Sequence, residues 1–293
     1  MTPSFPRFST SRIVLSRDPY LHGFVDEYLP ADLYHELSEA FIDPATHPDM
    51  EVLGRGKKRL LFRAPPVPES IASVAPRWSE AAGSVASQEF RDDCWQWLHE
   101  RAPIASQPEG PYRELMRARL ATDPRSLVVQ CEFSSMQDGV FLPPHSDSTD
   151  KVISFVLYFA PPQWQRSWGG GTEVYEPKDP ERRFNWNNHF LDPSEMRTSF
   201  VCEFAPNRLF FLVKGCNAWH GVSPLAAPPG VQRRSFNFSL LIPDDVMAAS
   251  SCAPHHAEIL RREAEIYRRP ARANARRAAC PLRRLLARVF GRG

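Results

Sequence analysis

From residue 126 to residue 243 the sequence is divided into short segments rich in β-branched and aromatic residues, and this pattern restricts the fold more than any other feature. Gly, Pro, Asn or Asp bounds each segment, as is typical of strands joined by turns. The segments read SLVVQCEF, KVISFVLYFA, GTEVYEP, TSFVCEFAP, RLFFLVK and RRSFNFSLLIP. Many short strands with long connections predict a jelly roll, also called a double-stranded β-helix, and disfavour a doubly wound parallel sheet.

Helical patterns flank this strand-rich region on both sides. Apolar residues recur at near-helical spacing over residues 24–42, 69–101 and 111–121. The polar, glycine-containing stretch 54–58 predicts a loop. A further helix is predicted over residues 254–269.

These patterns predict an α+β chain with three parts. A mainly helical N-terminal region, residues 1–125, supports and packs on the jelly-roll core at residues 126–250. A C-terminal helix and a short helical, arginine-rich tail occupy residues 251–293. A length of 293 residues suits one large domain, or one domain with a small appendage.

The C-terminal tail carries most of the positive charge. Residues 261–293 contain eleven arginines against two glutamates, a difference of +9, whereas the whole chain has a formal net charge of +2. Apolar residues at helical spacing over 282–290, with arginines on the other face, predict a short basic amphipathic helix. Such a helix can lie on an anionic membrane, dock on the domain or on a partner, or remain disordered, and these alternatives stay open. Nucleic acid is a disfavoured partner, because the basic run has no aromatic platform beyond Phe290.

Cysteine usage and hydropathy predict a cytoplasmic protein. The six cysteines are scattered without a CxxC pair, which disfavours a structural zinc site or a disulfide framework and fits a reducing compartment. The N-terminal residues lack the apolar core of a signal peptide, and the longest apolar stretches are too short to span a bilayer. The basic tail adds a candidate peripheral contact with the inner face of a membrane.

A candidate metal site is formed by His145-Ser146-Asp147 and the more distant His220. Two imidazoles and one carboxylate can occupy one face of a ferrous ion and leave the other face open, which is the ligand set of non-haem Fe(II) oxygenases. Residues i and i+2 of a strand point to the same side, so His145 and Asp147 are expected to converge on one strand. The alternative is a surface turn beside a histidine bonded in the core. The order of the ligands and of a later arginine favours the metal site.

A candidate carboxylate anchor lies at Arg233-Arg234-Ser235. Arg233 and Ser235 share one face of a strand, where a guanidinium can bind a carboxylate through two hydrogen bonds with support from a hydroxyl. The tandem arginines leave the register open by one residue, with Arg233 favoured as the anchor and Arg234 as the alternative. A solvated charge patch at a strand end is the competing interpretation.

Taken in order, these motifs resemble the 2-oxoglutarate/Fe(II)-dependent dioxygenase superfamily, in particular its prolyl 4-hydroxylase-like branch. The family pattern is HxD, a strand ending in Tyr, a GG-containing strand, an apolar strand before a distal histidine, and a basic residue on the last core strand. The corresponding segments here are HSD, VLYFAPPQW, WGGGTEVY, PNRLFF, WHGVSP and RRS. The match covers about residues 126–243. The sequence departs from the pattern at Phe133, where relatives often carry a tyrosine that contacts the co-substrate; Gln130 is one candidate for that role.

The resemblance implies the cofactors and the reaction. Fe(II) would be held by His145, Asp147 and His220, and 2-oxoglutarate would chelate it. The far carboxylate of 2-oxoglutarate would reach Arg233, supported by Ser235. With O2 as the second co-substrate and ascorbate as a candidate stimulant, the expected outcome is hydroxylation of an unactivated C–H bond with release of succinate and CO2.

The sequence leaves the substrate open among a prolyl-type peptide, an amino acid, and a sugar or lipid-linked glycan. Three regions are candidates to line the mouth of the site: the basic loop Arg55–Arg59, the segment Trp168–Tyr175, and the polar and aromatic excursion at 177–198. The excursion equally suits a loop that is simply exposed. Two other classes of protein remain as alternatives, a cupin-like metal enzyme without 2-oxoglutarate and a non-catalytic jelly-roll binding module.

Overall fold

The structure of the protein is a computed structural model. It describes residues 5, 7–8, 12–53, 56–101, 110–249 and 252–268. The predictions for the arginine-rich tail, including its amphipathic helix, lie outside the described residues. Within those residues, no helix has both the length and the apolar composition needed to cross a membrane.

Every helical region predicted from the sequence within the described residues contains helix, but the helix Asp244–Ala249 was not predicted, and the strand His22–Val25 overlaps the start of the pattern at 24–42. The described helices are α1 (Ala31–Glu39), α2 (Glu69–Ala72), α3 (Pro76–Val85), α4 (Gln88–Arg101), α5 (Pro111–Leu120), α6 (Asp244–Ala249) and α7 (Cys252–Arg268). The predicted helical stretch 69–101 is thus divided into three helices, and Pro76 opens the second of them at a position that suits proline. In α1, Leu33 and Leu37 lie one turn apart and are both buried, which explains the amphipathic pattern.

The predicted strands are present, together with shorter ones. The described strands are β1 (Val14–Ser16), β2 (His22–Val25), β3 (Glu51–Leu53), β4 (Lys57–Ala64), β5 (Val128–Met136), β6 (Leu142–His145), β7 (Lys151–Phe159), β8 (Thr172–Pro177), β9 (Met196–Cys202), β10 (Leu209–Val213), β11 (His220–Val222) and β12 (Arg233–Leu241). The six segments predicted from the sequence correspond to β5, β7, β8, β9, β10 and β12. β6 and β11 are not among these segments, because strands of four and three residues are too short to show an alternation; a strand at His145 was expected only from the spacing of the HxD pair.

The N-terminal region contains more strand than the sequence predicts. β4 begins at Lys57, inside the stretch predicted as a loop, and pairs antiparallel with β5. Its residues Leu60, Phe62 and Ala64 are buried and alternate with more exposed ones, which is the period of a half-buried strand. The charges in KKRLLFRA hide this alternation from a reading of hydrophobicity alone. The region therefore extends the large sheet as well as supplying helices.

The strands form two antiparallel sheets. The larger has the order β1-β2-β10-β7-β12-β5-β4-β3, and the smaller has the order β6-β11-β8-β9. From β5 to β12 the chain passes repeatedly between the sheets and leaves four strands in each. This arrangement is the one expected of the double-stranded β-helix predicted from the sequence. The predicted class, helices combined with antiparallel sheet, is confirmed.

The helices cover the outer face of the large sheet with aromatic side chains. The ring of Trp78, on α3, lies 4.8 Å from the rings of both Phe133 and Phe236. The rings of Phe155 and Phe238 stack at 4.7 Å, and all five side chains are buried. Aromatic contacts of this kind stabilise the fold beyond the burial of apolar area. Helices and sheet therefore share one core, and the inner face carries a smaller apolar cluster beside a group of polar side chains.

Candidate active site

Two neighbouring strands of the small sheet bring the predicted histidine ligands together. His145 is the last residue of β6 and His220 is the first of β11, and the two are paired directly across the strands. Their ring centroids lie 4.3 Å apart. Gly221 permits this close pairing, because a Cβ atom there would lie only 2.6 Å from the carbonyl oxygen of Leu142.

Asp147 reaches the histidines through a turn. β6 ends at His145, and Asp147 has a left-handed backbone conformation with φ of 67°, which aspartate adopts more readily than most residues. One carboxylate oxygen lies 3.8 Å from Nε2 of His145, and the other lies 3.7 Å from Nε2 of His220. The three side chains thus converge, but the reason given from the sequence, two positions on one face of a strand, is wrong.

Each histidine is oriented by a backbone carbonyl two residues before it. Nδ1 of His145 lies 2.9 Å from the carbonyl oxygen of Pro143, and Nδ1 of His220 lies 2.9 Å from that of Ala218. Because a carbonyl oxygen only accepts, Nδ1 carries the proton in both rings, and the lone pair of Nε2 faces the other ligands. Histidines that bind metals are commonly oriented by a second hydrogen bond of this kind.

The protonation states of the three side chains suit a divalent cation. Burial lowers the pKa of His145 to about 3, with repulsion between the two neighbouring imidazoles when both are protonated as a second cause, and burial also lowers the pKa of His220. Burial opposes ionisation of Asp147, but Lys151 and the two histidines outweigh it and hold the pKa of that carboxyl well below its usual range. The site thus presents two neutral imidazoles and one carboxylate, with ligand atoms all within 4.8 Å of one another. This donor set fits Fe(II).

Both oxygens of Asp147 accept hydrogen bonds from residues that the sequence did not single out. Nζ of Lys151 donates to one oxygen at 2.9 Å, and Oγ of Ser154 donates to the other at 2.9 Å. Ser239, on the neighbouring strand, donates to Oγ of Ser154 at 3.1 Å. The only feature of the sequence that could have pointed to Ser154 and Ser239 is their position on the inward-facing side of the predicted strands β7 and β12. Together these bonds fix the direction of the carboxylate.

A cavity of about 90 Å³ joins the metal ligands to the predicted carboxylate anchor. His145, Asp147, His220 and Arg233 all line it. The inner face of the large sheet contributes polar residues to the same cavity: Lys57, Gln130, Glu132, Lys151, Ser154, Asn237 and Ser239. Both parts of the site predicted from the sequence therefore open on one space.

Arg233 is a buried cation without an acidic partner. Its Nε donates to the carbonyl oxygen of Gly170 at 2.6 Å, and Nη1 lies 3.4 Å from Oγ of Ser235. The rings of Tyr158 and Phe204 have centroids 5.2 and 5.3 Å from its Cζ. Among the described residues, no carboxylate forms an ion pair with this guanidinium. A buried arginine in such surroundings is a natural binding site for an anion.

Arg234 points to the opposite face of β12. Its Cζ lies 5.7 Å from the ring centroid of Phe41, on the side covered by helices, and its Nε lies 3.5 Å from Oε1 of Gln232. It is not among the residues that line the cavity. The structure thus places Arg233 inward, which is the register favoured from the sequence; its role as the 2-oxoglutarate anchor stays a prediction, as does that of Ser235.

The position that departs from the family pattern faces away from the cavity. Phe133 packs in the aromatic core beside Trp78, whereas Gln130 and Glu132 line the cavity from the same strand. Alternation along β5 explains the difference, since residues 130 and 132 share the inner face. This wall of the cavity therefore carries an amide and a carboxylate.

The excursion between β8 and β9 packs partly in the interior of the protein and is not simply an exposed loop, which was the alternative interpretation of its polar sequence. Asn185 and Trp186 are fully buried within it. Phe190 remains 57% exposed, and its ring stacks on the ring of His145 with centroids 5.5 Å apart. The excursion thus reaches the metal ligands, as expected of a segment that lines the mouth of the site.

The other two regions predicted at the mouth each contribute one side chain. The segment Trp168–Tyr175 supplies Thr172 to the cavity, and the predicted basic loop supplies Lys57 from the start of β4. Arg55 lies outside the described residues.

Residues 131–240 match the sequence profile of the 2OG-Fe(II) oxygenase superfamily. The matched stretch contains the three candidate metal ligands and Arg233. No curated protein sequence matches the chain. Residues 131–240 are therefore similar to the oxygenase domain of the 2-oxoglutarate/Fe(II) superfamily, as the motifs predicted, and this match and the candidate triad support Fe(II) as the metal and 2-oxoglutarate and O2 as the co-substrates.

The chain is also similar to solved structures at low sequence identity. A prolyl-4-hydroxylase of Pseudomonas putida is 16% identical, with 75% of this chain and 92% of that chain covered and a TM-score of 0.41. A prolyl hydroxylase of Trichoplax adhaerens, in complex with a hypoxia inducible factor peptide fragment, is 14% identical, with 78% and 87% covered and a TM-score of 0.43. The epimerase SnoN from nogalamycin biosynthesis is 14% identical, with 75% and 78% covered and a TM-score of 0.42, in a complex with Fe3+, alpha ketoglutarate and nogalamycin RO.

Proposed function

We propose that this protein is a hydroxylase that places one oxygen atom of O2 on an unactivated C–H carbon of a polar substrate, while 2-oxoglutarate is converted to succinate and CO2. The observation that supports this most directly is that the three candidate metal ligands and Arg233 line the same cavity, and that no carboxylate among the described residues forms an ion pair with Arg233. A metal site alone would suit many enzymes. A buried cation in the same cavity adds a place for the far carboxylate of a dianionic co-substrate.

Each group of the cavity then has a defined task. His145, Asp147 and His220 hold the iron, and Arg233 with Ser235 holds the far carboxylate of 2-oxoglutarate. When bound, iron with 2-oxoglutarate and O2 supplies an oxidant strong enough to remove a hydrogen atom from carbon. The burial of the site keeps bulk water away from the reacting groups.

Hydroxylation is the outcome that the ligand set favours. Asp147 stands where a halogenase must leave a coordination position free for a halide, and both of its oxygens are held by Lys151 and Ser154. A cupin-like enzyme typically uses three or four histidines, whereas the cluster found among the described residues has two. The complete triad and the buried arginine likewise disfavour a non-catalytic binding module.

The charged wall of the cavity favours a small polar substrate, such as an amino acid or a sugar, over a prolyl-type peptide. Nζ of Lys57 donates to Oε1 of Glu132 at 2.6 Å, and Nδ2 of Asn237 donates to the same oxygen at 2.7 Å. Arg59 adds a second cation 3.5 Å from the other Glu132 oxygen. Buried charges are costly to desolvate, so a network of this kind is better explained by ligand binding than by stability. A proline ring has no polar atom to offer to these groups.

The proposal extends to the location of the protein. We expect it to act in a reducing cytoplasm, with its arginine-rich tail in peripheral contact with an anionic membrane, where a lipid-linked glycan becomes a candidate substrate. The support is the sequence of residues 271–293. Deletion of these residues should abolish binding to vesicles that contain anionic lipid. Equal vesicle binding by the full and the shortened chain would contradict the contact.

An anaerobic titration tests the proposed function without knowledge of the substrate. The metal-free protein receives Fe(II) and then 2-oxoglutarate, and a weak visible charge-transfer band is expected only when both are present. Metal binding without a band after addition of 2-oxoglutarate would contradict the co-substrate and favour the cupin-like alternative.

Succinate release then tests the substrate class. Free amino acids, monosaccharides and short proline-containing peptides are compared for their stimulation of 2-oxoglutarate turnover, and mass spectrometry reports whether the product has gained one oxygen atom. We expect stimulation by an amino acid or a sugar. Stimulation by proline peptides alone would contradict the polar-substrate assignment, and a product without added oxygen would contradict hydroxylation.

A further inference from the structure

The excursion between β8 and β9 is bonded directly to the turn that carries Asp147. The backbone N–H of Ser146 donates to Oδ1 of Asn188 at 3.2 Å. The hydroxyl of Ser146 donates to the carbonyl oxygen of Asn185. The conformation of the metal-binding turn therefore depends on where the excursion lies.

Two residues at this contact have left-handed backbones. Asp147 has φ of 67° and Asn188 has φ of 55°. Asparagine and aspartate adopt this conformation more readily than most residues, and hydrogen bonds to neighbouring groups help to hold it. The bond from Ser146 to Asn188 joins the two turns, so that each supports the other. The excursion must itself be fixed for this support to act.

Lys214, one residue after β10, fixes the excursion from inside the protein. Its side chain is fully buried, and Nζ lies 2.9 Å from Oγ of Ser146, 3.2 Å from the carbonyl oxygen of Asn185 and 3.0 Å from that of Trp186. Carbonyl oxygens only accept, and the hydroxyl of Ser146 already donates its proton to Asn185. All three bonds therefore use N–H groups of Lys214, which is the full donor set of an ammonium group.

Glu263, on α7, fixes the same excursion from the other side. Its carboxylate is completely buried and accepts the backbone N–H of Trp186 at 2.6 Å and that of Asn187 at 2.9 Å. The backbone of Trp186 is thus bonded to Glu263 through its N–H and to Lys214 through its carbonyl. Buried charges are costly to desolvate unless hydrogen bonds satisfy them, and here all of these bonds except the one to Ser146 go to residues 185–187.

We propose that Lys214 and Glu263 are positioning residues of the metal centre. Lys214 acts on the turn that carries Asp147 directly at Ser146 and through residues 185–186, and Glu263 acts on it through residues 186–187. Neither donates to or accepts from a metal ligand among the described hydrogen bonds. The inference rests on the proposed function, in that this turn holds iron. Removing groups that orient metal ligands weakens metal binding by about 10–100-fold, and we expect a loss of this size when either charge is removed.

The test is metal binding by the full chain, with Co(II) alone as the spectroscopic probe. Lys214→Met keeps the length of the side chain without its charge and donors, and Glu263→Gln keeps the shape without the charge. Lys178→Met is the matched control, because Lys178 also donates to a carbonyl of the excursion but is exposed. We expect the first two variants to bind Co(II) about 10–100-fold more weakly, with altered d–d absorption bands. The control should bind as the wild type does.

Equal Co(II) affinity and identical bands in the wild type and in folded Lys214→Met would overturn the proposal, even if that variant melts at a lower temperature. The proposed function would survive this result, because the wild type would still bind metal. A wild type that binds no metal would contradict both. Where Lys214→Met does not fold, Ser146→Ala gives the answer, because it removes only the hydroxyl between Lys214 and Asn185. Weaker Co(II) binding by Ser146→Ala supports the proposal, and unchanged binding overturns it.

Discussion

Where the large sheet lines the cavity, its two faces have opposite chemistry. The outer face is aromatic, with Phe133, Phe155, Phe236 and Phe238 packed beneath the helices. The inner face carries polar side chains where it lines the cavity, namely Gln130, Glu132, Ser154, Arg233, Asn237 and Ser239, and a smaller apolar cluster that includes Tyr158, Phe210 and Leu212 lies beside them. The aromatic core and the charged cavity are therefore separated only by the backbone of a single sheet.

β12 shows how one strand serves both faces. Arg233, Asn237 and Ser239 line the cavity, whereas Phe236 and Phe238 lie in the aromatic core. Neighbouring side chains of a strand point to opposite sides, so the site and the core are encoded at alternating positions of the same segment. Substitutions on the two faces should therefore have separable effects, one on ligand binding and the other on stability.

The largest difference between the effect on ligand binding and the effect on stability is expected for His220→Ala. The variant should lose the charge-transfer band of the Fe(II)–2-oxoglutarate complex entirely, because two ligands remain, while its free energy of unfolding should change by only about 1 kcal/mol. Its matched control is His22→Ala, since His22 is also buried and its Nδ1 lies 2.8 Å from a carbonyl oxygen two residues before it. The control should keep the band. A band of normal intensity in His220→Ala would place the metal elsewhere.

Phe238→Ala should give the reverse result. The ring of Phe238 stacks on Phe155 at 4.7 Å and is buried, so its removal should lower the free energy of unfolding by about 3–5 kcal/mol. Urea unfolding measures this loss, and the same titration with Fe(II) and 2-oxoglutarate measures the band per folded molecule. That band should be unchanged. A weakened band in folded protein would show that the two faces are coupled.

The sequence predicts best where strand alternation carries the information. In RRSFNFSLLIP the alternation alone indicates both the strand and its faces, and it favours Arg233 over Arg234 for the inward position. The structure has the same arrangement, with Arg233 in the cavity and Arg234 over Phe41. The sequence of one strand is enough to assign its faces in such a case, because side chains alternate with a period of two whichever strands lie beside it.

Features that depend on turns and distant contacts could not be predicted in this way. The left-handed turn at Asp147 has no periodicity, and β6 and β11 are too short to show one. Lys214 appears in the sequence as a single lysine after an apolar strand. Its three hydrogen bonds exist only because the excursion and α7 come together around Trp186. The sequence thus indicates which residue types bind the metal, whereas their positioning is a tertiary property.

Arg233→Met and Arg234→Met compare the two faces at adjacent positions. A hydrogen bond to a charged group contributes about 1.5–3 kcal/mol, so Arg233→Met should weaken 2-oxoglutarate binding by about 10–100-fold. Fe(II) binding in the absence of 2-oxoglutarate should be unchanged. Arg234→Met is the control and should bind 2-oxoglutarate nearly as the wild type does. A larger loss in Arg234→Met than in Arg233→Met would contradict the inward assignment.

The metal-free protein should also become less stable as the pH is lowered, and this dependence arises at the metal ligands rather than in the aromatic core. Burial lowers the pKa of His145 from an ordinary value of 6.5 to about 3. Between these values the unfolded chain binds a proton that the folded protein does not, so the free energy of unfolding falls as the pH is lowered through this window. The slope is at most about 1.4 kcal/mol per pH unit for each such imidazole. The depressed pKa of Asp147 adds a loss in the same direction at still lower pH.

Urea unfolding of the metal-free protein between about pH 7 and about pH 4 measures this slope. Phe238→Ala should lower the free energy of unfolding by the same amount at every pH, because a phenyl ring does not titrate. His145→Ala should instead reduce the slope, because the buried neutral imidazole is then absent. If His145→Ala left the slope unchanged, His145 would titrate in the folded protein as it does in the unfolded chain, which would contradict its burial as a neutral imidazole. The pH series thus tests the protonation state of His145 independently of any bound ion.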